Sequence, residues 1–496
     1  MSDSDSLLSR FIGGTISIGW GNLSAMVLGL LGTMVAARRL PAEAFGAFVL
    51  LQVVASFLAQ VSSFGLELSV ARFIASTEDK TYERQLINTA LSFRVFTILV
   101  VSLVASVIRP TLFAVSGSSL IADLAVFVPL LFLLESSSSL LRSILQGLFL
   151  FSRIGLADFV ASVLNFLLVL VFVLFLDRGV MGLIYARVIA LSVSCAFAYS
   201  SIPTRKRLEF HLNIMKQVLA FGIPLQVNDI LTFIFRRIDT LVIGAFLGTV
   251  DIAYYEIARK IPDYLTRLFE AFRSVYFSFM SKLFARGQRD KAIQVLNNST
   301  RWISFLTAVG ALTAVVFGNS IISLLFSDRY LPSAPVFVLL MIRLNIALIS
   351  NLLGTALVAV GDSNKPAIIN VVHTAVALLG NLIFLPIFGI VGAALASLAG
   401  PSATNPLNVL FLRRRRVDVK VADYLKPILV FCGYFLLVLF ANPTTFLQQA
   451  SIIVLFVLTC MLLSIFSKEE LVGLLGQSKG TLLKPSRNPR SRSSKG

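Results

Sequence analysis

Runs such as LSFRVFTILVVSLVASVI (91–108) and NFLLVLVFVLFL (165–176) recur along the whole chain. About 20 mainly apolar residues are what a helix needs to cross the hydrocarbon core of a bilayer. The chain is 57% hydrophobic, against about 45–50% in soluble domains, and the excess sits in these blocks. They predict an all-α, polytopic membrane protein. No stretch between blocks exceeds roughly 30 residues, so a second soluble domain is not expected. MSDSDSLLSR is too short and polar to read as a cleavable signal peptide, and the first apolar segment runs straight on from it.

The blocks divide into about fourteen spans: 11–37, 44–71, 86–108, 121–148, 154–176, 180–200, 215–246, 251–281, 300–326, 334–360, 366–388, 390–412, 424–441 and 448–466. The segments at 366–412 are joined by a very short turn. Lysine and arginine outnumber aspartate and glutamate 43 to 25, a net charge of +18. Such an excess could indicate nucleic acid, but here it collects in alternate loops. Arg72, Lys80 and Arg84 fall in one, Arg205, Lys206, Arg207 and Lys216 in another, and Arg413–Arg416 with Lys420 and Lys426 in a third. Loops of the other set carry few bases. The positive-inside rule then predicts both termini on the cytoplasmic side of a cell (inner) membrane. No nucleic-acid partner is expected. The basic, Ser/Pro-rich tail 468–496 has no apolar pattern and is predicted to be disordered. It is read as a topology determinant or as a contact for anionic headgroups. Cys195, Cys432 and Cys460 lie in apolar segments and match no disulfide or metal pattern. No cofactor or metal is expected.

The chain repeats at a spacing of about 207 residues. LPAEAFGAF (40–48) overlies LGTVDIAYY (247–255), and GVMGLIYA (179–186) resembles GIVGAALA (389–396). The unit is six spans, an even number, so both copies start from the same side. Two parallel six-helix lobes are predicted, 1–212 and 213–416, followed by an appended helix pair at 417–467. Transporters built from such repeats place substrate between the halves and work by rocking them.

YYEIARKIPDYLTRLFEAFRSVYFSFM (254–280) carries seven ionisable side chains. Glu256, Lys260, Asp263, Arg267 and Glu270 follow a 4-3-4-3 spacing and share one helix face, flanked by Arg259. The preceding span places Gln226, Asp229, Thr232, Arg236 and Asp239 on one face, with Arg237 beside it. Arg94, Glu135, Arg187 and Arg343 sit near the middle of other spans. A charge at a helix centre costs about 2.5–3.5 kcal/mol to insert, so these faces must meet each other, other helices or water. One reading is a structural set of salt bridges. The other is a polar cavity in which Arg94, Arg187, Arg236, Arg237, Arg259, Lys260, Arg267 and Arg343 receive an anion. Guanidinium suits phosphate geometry. Glu135, Asp229, Asp239, Glu256, Asp263 and Glu270 would then support the bases or bind a coupling cation. His373, with Asn370 and Asn381 on its span, is read as a packing histidine or a proton relay.

The segment ARRLPAEAFGAFVLLQVVASFLAQVSSFGLELSVARFIA (37–75) resembles the first block of polysaccharide flippases, through Arg39-Leu40, Pro41, Phe45-Gly46 and Phe64-Gly65-Leu66. These are the O-antigen and exopolysaccharide translocases of the multidrug/oligosaccharidyl-lipid/polysaccharide exporter superfamily. FGIPL (221–225), RRIDTLVIGAFLG (236–248), AYYEIARKIP (253–262), VGDSNKP (360–366) and FGIVGAALAS (388–397) resemble later blocks in the same order. Ala253 departs from a frequent glycine. The resemblance implies a fourteen-helix, two-lobed fold. It also implies movement of a polyprenyl-pyrophosphate-linked oligosaccharide from the cytoplasmic to the outer leaflet, with the lipid bilayer and other polysaccharide assembly proteins as partners. A multidrug or cation antiporter of the superfamily is the near alternative. A membrane enzyme would need an acid, base or nucleophile on an outer loop, and RPTLFAVSGSSL (109–120) offers none. A scaffold that recruits glycosyltransferases is the remaining alternative.

Overall fold

The computed structural model describes residues 3–114, 119–204, 207–362 and 364–463. For some residues, Thr232 and Arg236 among them, it describes the backbone alone. The tail 468–496 lies outside the described residues. Every regular element among the described residues is helical. The first part of the chain forms α1 (Asp3–Arg39), α2 (Ala42–Val61), α3 (Leu66–Ser76), α4 (Lys80–Ala114), α5 (Ser119–Leu124), α6 (Val128–Gly147), α7 (Phe151–Val169) and α8 (Gly179–Ser201). The second forms α9 (Leu212–Phe246), α10 (Thr249–Ala285), α11 (Arg289–Leu325), α12 (Ala334–Ala359) and α13 (Asn364–Arg414). It ends in α14 (Val421–Ala441) and α15 (Phe446–Leu462).

Ten helical stretches among the described residues are long and apolar enough to cross a membrane. The 37-residue α10 is not among them. It is more than long enough, and its charged face is what lowers its hydropathy. Apolar side chains such as Phe96, Leu99, Leu103 and Val107 on α4, and Leu439 and Phe440 on α14, are exposed. They suit contact with lipid tails.

Two of the predicted spans have a finer structure. The stretch 44–71 is interrupted: Phe64 and Gly65 have φ of 51° and 70°, and this left-handed pair separates α2 from α3. Within α13, Gly389 has φ 58° and ψ −139°, which no helix accommodates. The chain turns back there. A Cβ at Gly392 would lie 1.9 Å from the Phe384 carbonyl oxygen, and one at Gly380 would lie 3.2 Å from the Ala396 Cα. The element is therefore a hairpin, which matches the short turn expected between 366–388 and 390–412.

Between helices in lipid, close approach of small residues does much of the packing. Here it joins α2–α3 to α9–α10. A Cβ at Gly46 would lie 1.7 Å from the Thr249 carbonyl oxygen, and one at Gly65 would lie 2.1 Å from that of Gly222. At the first level, Arg329 NH1 donates to the Leu40 carbonyl, and Arg38 donates to the carbonyls of Leu324 and Leu325. At the second, the Gly65 N–H donates to Gln226 Oε1 at 2.8 Å, and the Gln226 amide donates to the Gln60 carbonyl. The connections rich in lysine and arginine share contacts of their own. Arg415 reaches Asp362 at 2.9 Å, Arg289 donates to the Arg415 carbonyl, and Asn297 donates to the Asp418 carbonyl.

Candidate functional site

α10 packs on both α2 and α12, and α9 packs on α2, α3 and α13. The two helices therefore stand where the earlier and later parts of the chain meet. The spacing that predicted a charged face on α10 now has partners. Glu256 is 6% exposed and lies at the centre of the cluster. Its Oε1 is 2.9 Å from Lys260 Nζ, and its Oε2 is 3.5 Å from Arg237 and 4.0 Å from Arg259 Nε. Arg259 also reaches Asp263 at 3.0 Å and donates to Thr240 Oγ1. Arg237 comes from α9, so the charged faces of the two helices do meet.

Among the described ion pairs of this cluster, three bases meet two acids. One contact at 4 Å supplies about 4 kcal/mol at an effective dielectric of ~20, while two inserted charges cost about 5–7 kcal/mol. Sharing Glu256 among three cations is how the cluster narrows that gap, and it leaves positive charge over. Asp239 lies beside the cluster and accepts from two neutral donors. Tyr255 Oη donates to its Oδ2 at 2.8 Å and Asn381 Nδ2 to its Oδ1 at 3.0 Å.

The other sequence candidates separate. Arg267 is exposed, with its guanidinium 6.0 Å from the Tyr264 ring centroid. Glu270 is exposed on the same helix. Arg343 donates to the Ser397 carbonyl at 3.2 Å, between α12 and α13. The side chain of Arg236 lies outside the described residues. Arg94 and Arg187 belong to a different group in the first part of the chain. Arg94 pairs with Glu67, and Arg187 is 3.4 Å from Glu135. Serines complete that group: Ser63 and Ser139 donate to the Glu67 carboxylate, and Ser56 donates to Glu135.

Sequence reasoning missed Glu67, because 44–71 read as one apolar span. The break at Phe64–Gly65 brings Glu67 against α4 and α6. It also missed the Arg142–Asp158 pair between α6 and α7, with a contact at 3.0 Å. The signal for this group was the run Glu135-Ser136-Ser137-Ser138-Ser139, unusual in an apolar span.

Glu67, Glu135 and Asp229 line one cavity of about 340 Å³ with Ser56, Gln60 and Phe233. A second cavity of about 380 Å³ runs beside α6, α7 and α8, past Arg142, Asp158 and Arg187. Among the described residues no cluster of three or more His, Cys, Asp or Glu is disposed to hold a metal. The arrangement can take a hydrated, charged ligand at a helix junction, with an acid-lined cavity on the α2–α3–α6 side and a base-rich network on α10.

Such a fold and junction define a multi-pass helical membrane protein with a polar interior. The family described as polysaccharide biosynthesis protein matches residues 35–335, more than half of the chain, and the chain belongs to that family. A curated relative is the probable low-salt glycan biosynthesis flippase Agl15 of Haloferax volcanii. It is 23% identical over 398 residues, covering 79% of this chain and 81% of Agl15. Among solved structures, the lipid II flippase MurJ in an inward closed conformation aligns with a TM-score of 0.71 at 18% identity, over 90% of this chain and 97% of MurJ. An inward-facing multidrug resistance MATE family transporter of the MOP superfamily aligns with a TM-score of 0.62 at 17% identity, over 79% and 94% of the two chains. These structural likenesses establish the fold.

Proposed function

We propose that this protein is a flippase of polysaccharide biosynthesis that moves a polyprenyl-pyrophosphate-linked oligosaccharide from the cytoplasmic to the outer leaflet of the cell membrane. The observation that carries the reading is the network of Arg237, Arg259 and Lys260 around Glu256 and Asp263. A pyrophosphate is a stronger partner for guanidinium than one shared carboxylate, because it offers bidentate oxygens and more charge. Binding would exchange internal ion pairs for substrate contacts, so the bases stay compensated in both states. Family membership and the names of the relatives support the same reading.

The lobes would be 1–212 and 213–416, with 417–467 appended. Substrate reaches the junction from the basic-loop side, which the positive-inside rule makes cytoplasmic, and the polyprenyl tail remains in lipid. Parting of the Gly65–Gly222 contact opens one level, and parting of the Gly46–Thr249 contact opens the other. The test is mass spectrometry of polyprenyl-linked oligosaccharides in a deletion strain carrying wild type or Arg259→Gln/Lys260→Gln. The mutant should accumulate one lipid-linked oligosaccharide on the cytoplasmic leaflet. An unchanged pool in the bare deletion would overturn the substrate class.

One observation favours a second reading, cation export: the cavity shared by Glu67, Glu135 and Asp229. That reading expects Asp229→Asn to abolish resistance to lipophilic cations without changing the lipid-linked pool.

A further inference from the structure

A separate cavity of about 280 Å³ lies among α10, α12 and α13, and its lining includes none of Arg237, Glu256, Arg259, Lys260 or Asp263. Its lining has a different chemistry. Asn351 and Thr355 come from α12, Asn370 and His373 from the first arm of α13, and Thr404 and Asn408 from the second. Among the described residues no carboxylate lines it, and the one permanent charge is the exposed Arg273 of α10. Exposed amides on membrane-crossing helices face a protein interior or water in preference to lipid. Asn351 and Asn370 are both exposed, and both converge on this cavity.

The floor is already built. Asn408 is 1% exposed and donates Nδ2–H to Ser350 Oγ at 3.1 Å, and Ser350 Oγ is 3.3 Å from Thr404 Oγ1. The other end of the Asn408 amide, Oδ1, is buried with no partner among the described residues. It faces Gly354, where a Cβ would stand 3.6 Å away, and Gly354 itself lines the cavity. Turning the amide over would leave its NH₂ in the same position. Buried polar atoms are nearly always satisfied, so this end of the side chain is a spare hydrogen-bonding group at the cavity floor. On the wall, the His373 ring lies against Gly400, where a Cβ would come within 3.0 Å of it.

Amides offer a donor and an acceptor side by side, and hydroxyls offer both on one atom. That set matches vicinal hydroxyls and fits neither a pyrophosphate, which would call for clustered bases, nor a polyprenyl chain. We propose that this cavity is a sugar-binding subsite, which holds a neutral, hydroxyl-rich ring of the lipid-linked glycan while the α10 network holds the phosphates. The proposal rests on the flippase reading and assigns glycan recognition to a place distinct from the charge.

The experiment measures binding to the full-length protein in nanodiscs by native mass spectrometry. The probes are undecaprenyl pyrophosphate, bare and bearing glucose, galactose or N-acetylglucosamine. Wild type should bind one sugared lipid about tenfold more tightly than the bare one. Asn351→Ala/Asn370→Ala, at exposed positions that do not threaten folding, should lose this preference and keep affinity for the bare lipid. Asn408→Leu should do the same, and Lys260→Gln should weaken both lipids alike. A preference that persists in the Asn variants overturns the subsite and leaves the flippase reading standing. Equal affinity of wild type for all probes also overturns it. Failure of wild type to bind any of them overturns both readings.

Discussion

The molecule holds two groups of charge inside its helices, and they are built differently. In the first part of the chain, Arg94 is 2% exposed and pairs with Glu67, whose carboxylate also accepts from Ser63 and Ser139. Arg94 itself also donates to the Ser62 carbonyl at 3.5 Å. One base meets one acid, and neutral donors complete the acid. On α10, three bases share Glu256 and one of them also holds Asp263. Lys260 and Arg237 keep side-chain exposures of 23% and 33%. A closed pair fixes helices in place, whereas a shared, base-rich and partly open cluster can change partners. The contrast is one of sharing: among the described residues Arg94 has Glu67 as its one acid, while Glu256 serves three bases.

Breaking the closed pair should have the largest effect on stability. Glu67→Gln leaves Arg94 buried without its counter-charge, a loss of about 3–5 kcal/mol for a buried pair. The melting temperature in detergent should fall steeply, and Glu67→Gln/Arg94→Met should recover most of it. A single mutant that melts like wild type would show that water reaches the pair. Lys260→Gln inverts the pattern. Glu256 retains Arg237 and Arg259, so melting should change little, while transport drops by roughly tenfold, about 1.4 kcal/mol in the barrier. A melting loss equal to that of Glu67→Gln would erase the distinction between the two groups.

The Gly65–Gly222 contact lies beside the first group, with Gly65 two residues before Glu67 in the chain. Gly222→Ala places a Cβ 2.7 Å from the Gly65 carbonyl oxygen and should disfavour this closed arrangement. Ser63→Cys in that background should then react severalfold faster with a soluble maleimide added from the basic-loop side. No change in rate would remove Gly222 from the gate. The smallest effect is expected at the turn before α13, outside the membrane segments. Burial pushes the Asp362 carboxyl up, but the bonds from Arg415 and the Lys365 N–H, with the charges of both, hold it below the usual carboxylate range. Its contribution is complete above the ordinary pKa of about 3.9 and is lost as pH falls through the lower folded value. Wild type and Asp362→Asn should differ slightly in melting at neutral pH and converge as the pH falls below the usual carboxylate range. A constant difference would place the effect in packing.

Much of this architecture was legible from residue order. Helix-length apolar runs must cross or bury themselves, so the helical class follows from solvent physics. The 4-3-4-3 spacing of Glu256, Lys260, Asp263, Arg267 and Glu270 places them on one face wherever α10 packs. Glycines at 46, 65 and 389 mark a close approach, a break and a reversal, and all three belong to blocks recognisable in the sequence. Charge pairing was much less legible. Glu67 meets Arg94 because the backbone turns left-handed at Phe64–Gly65, a local event with long-range consequences. Arg343 finds a carbonyl, not a carboxylate, because of where the α13 hairpin lands.

Periodicity reports which residues share a face of one helix, and it reports this because helix geometry repeats every 3.6 residues. It says nothing of what stands opposite. Helix identity, the charged face of α10 and the basic loops therefore come directly from the chain. The partners of Glu256, the acid-lined cavity at Asp229 and the amide-lined cavity at Asn408 come from contacts between helices far apart in sequence. Each needs distances of a few ångströms between side chains on different helices, and only packing in three dimensions supplies those.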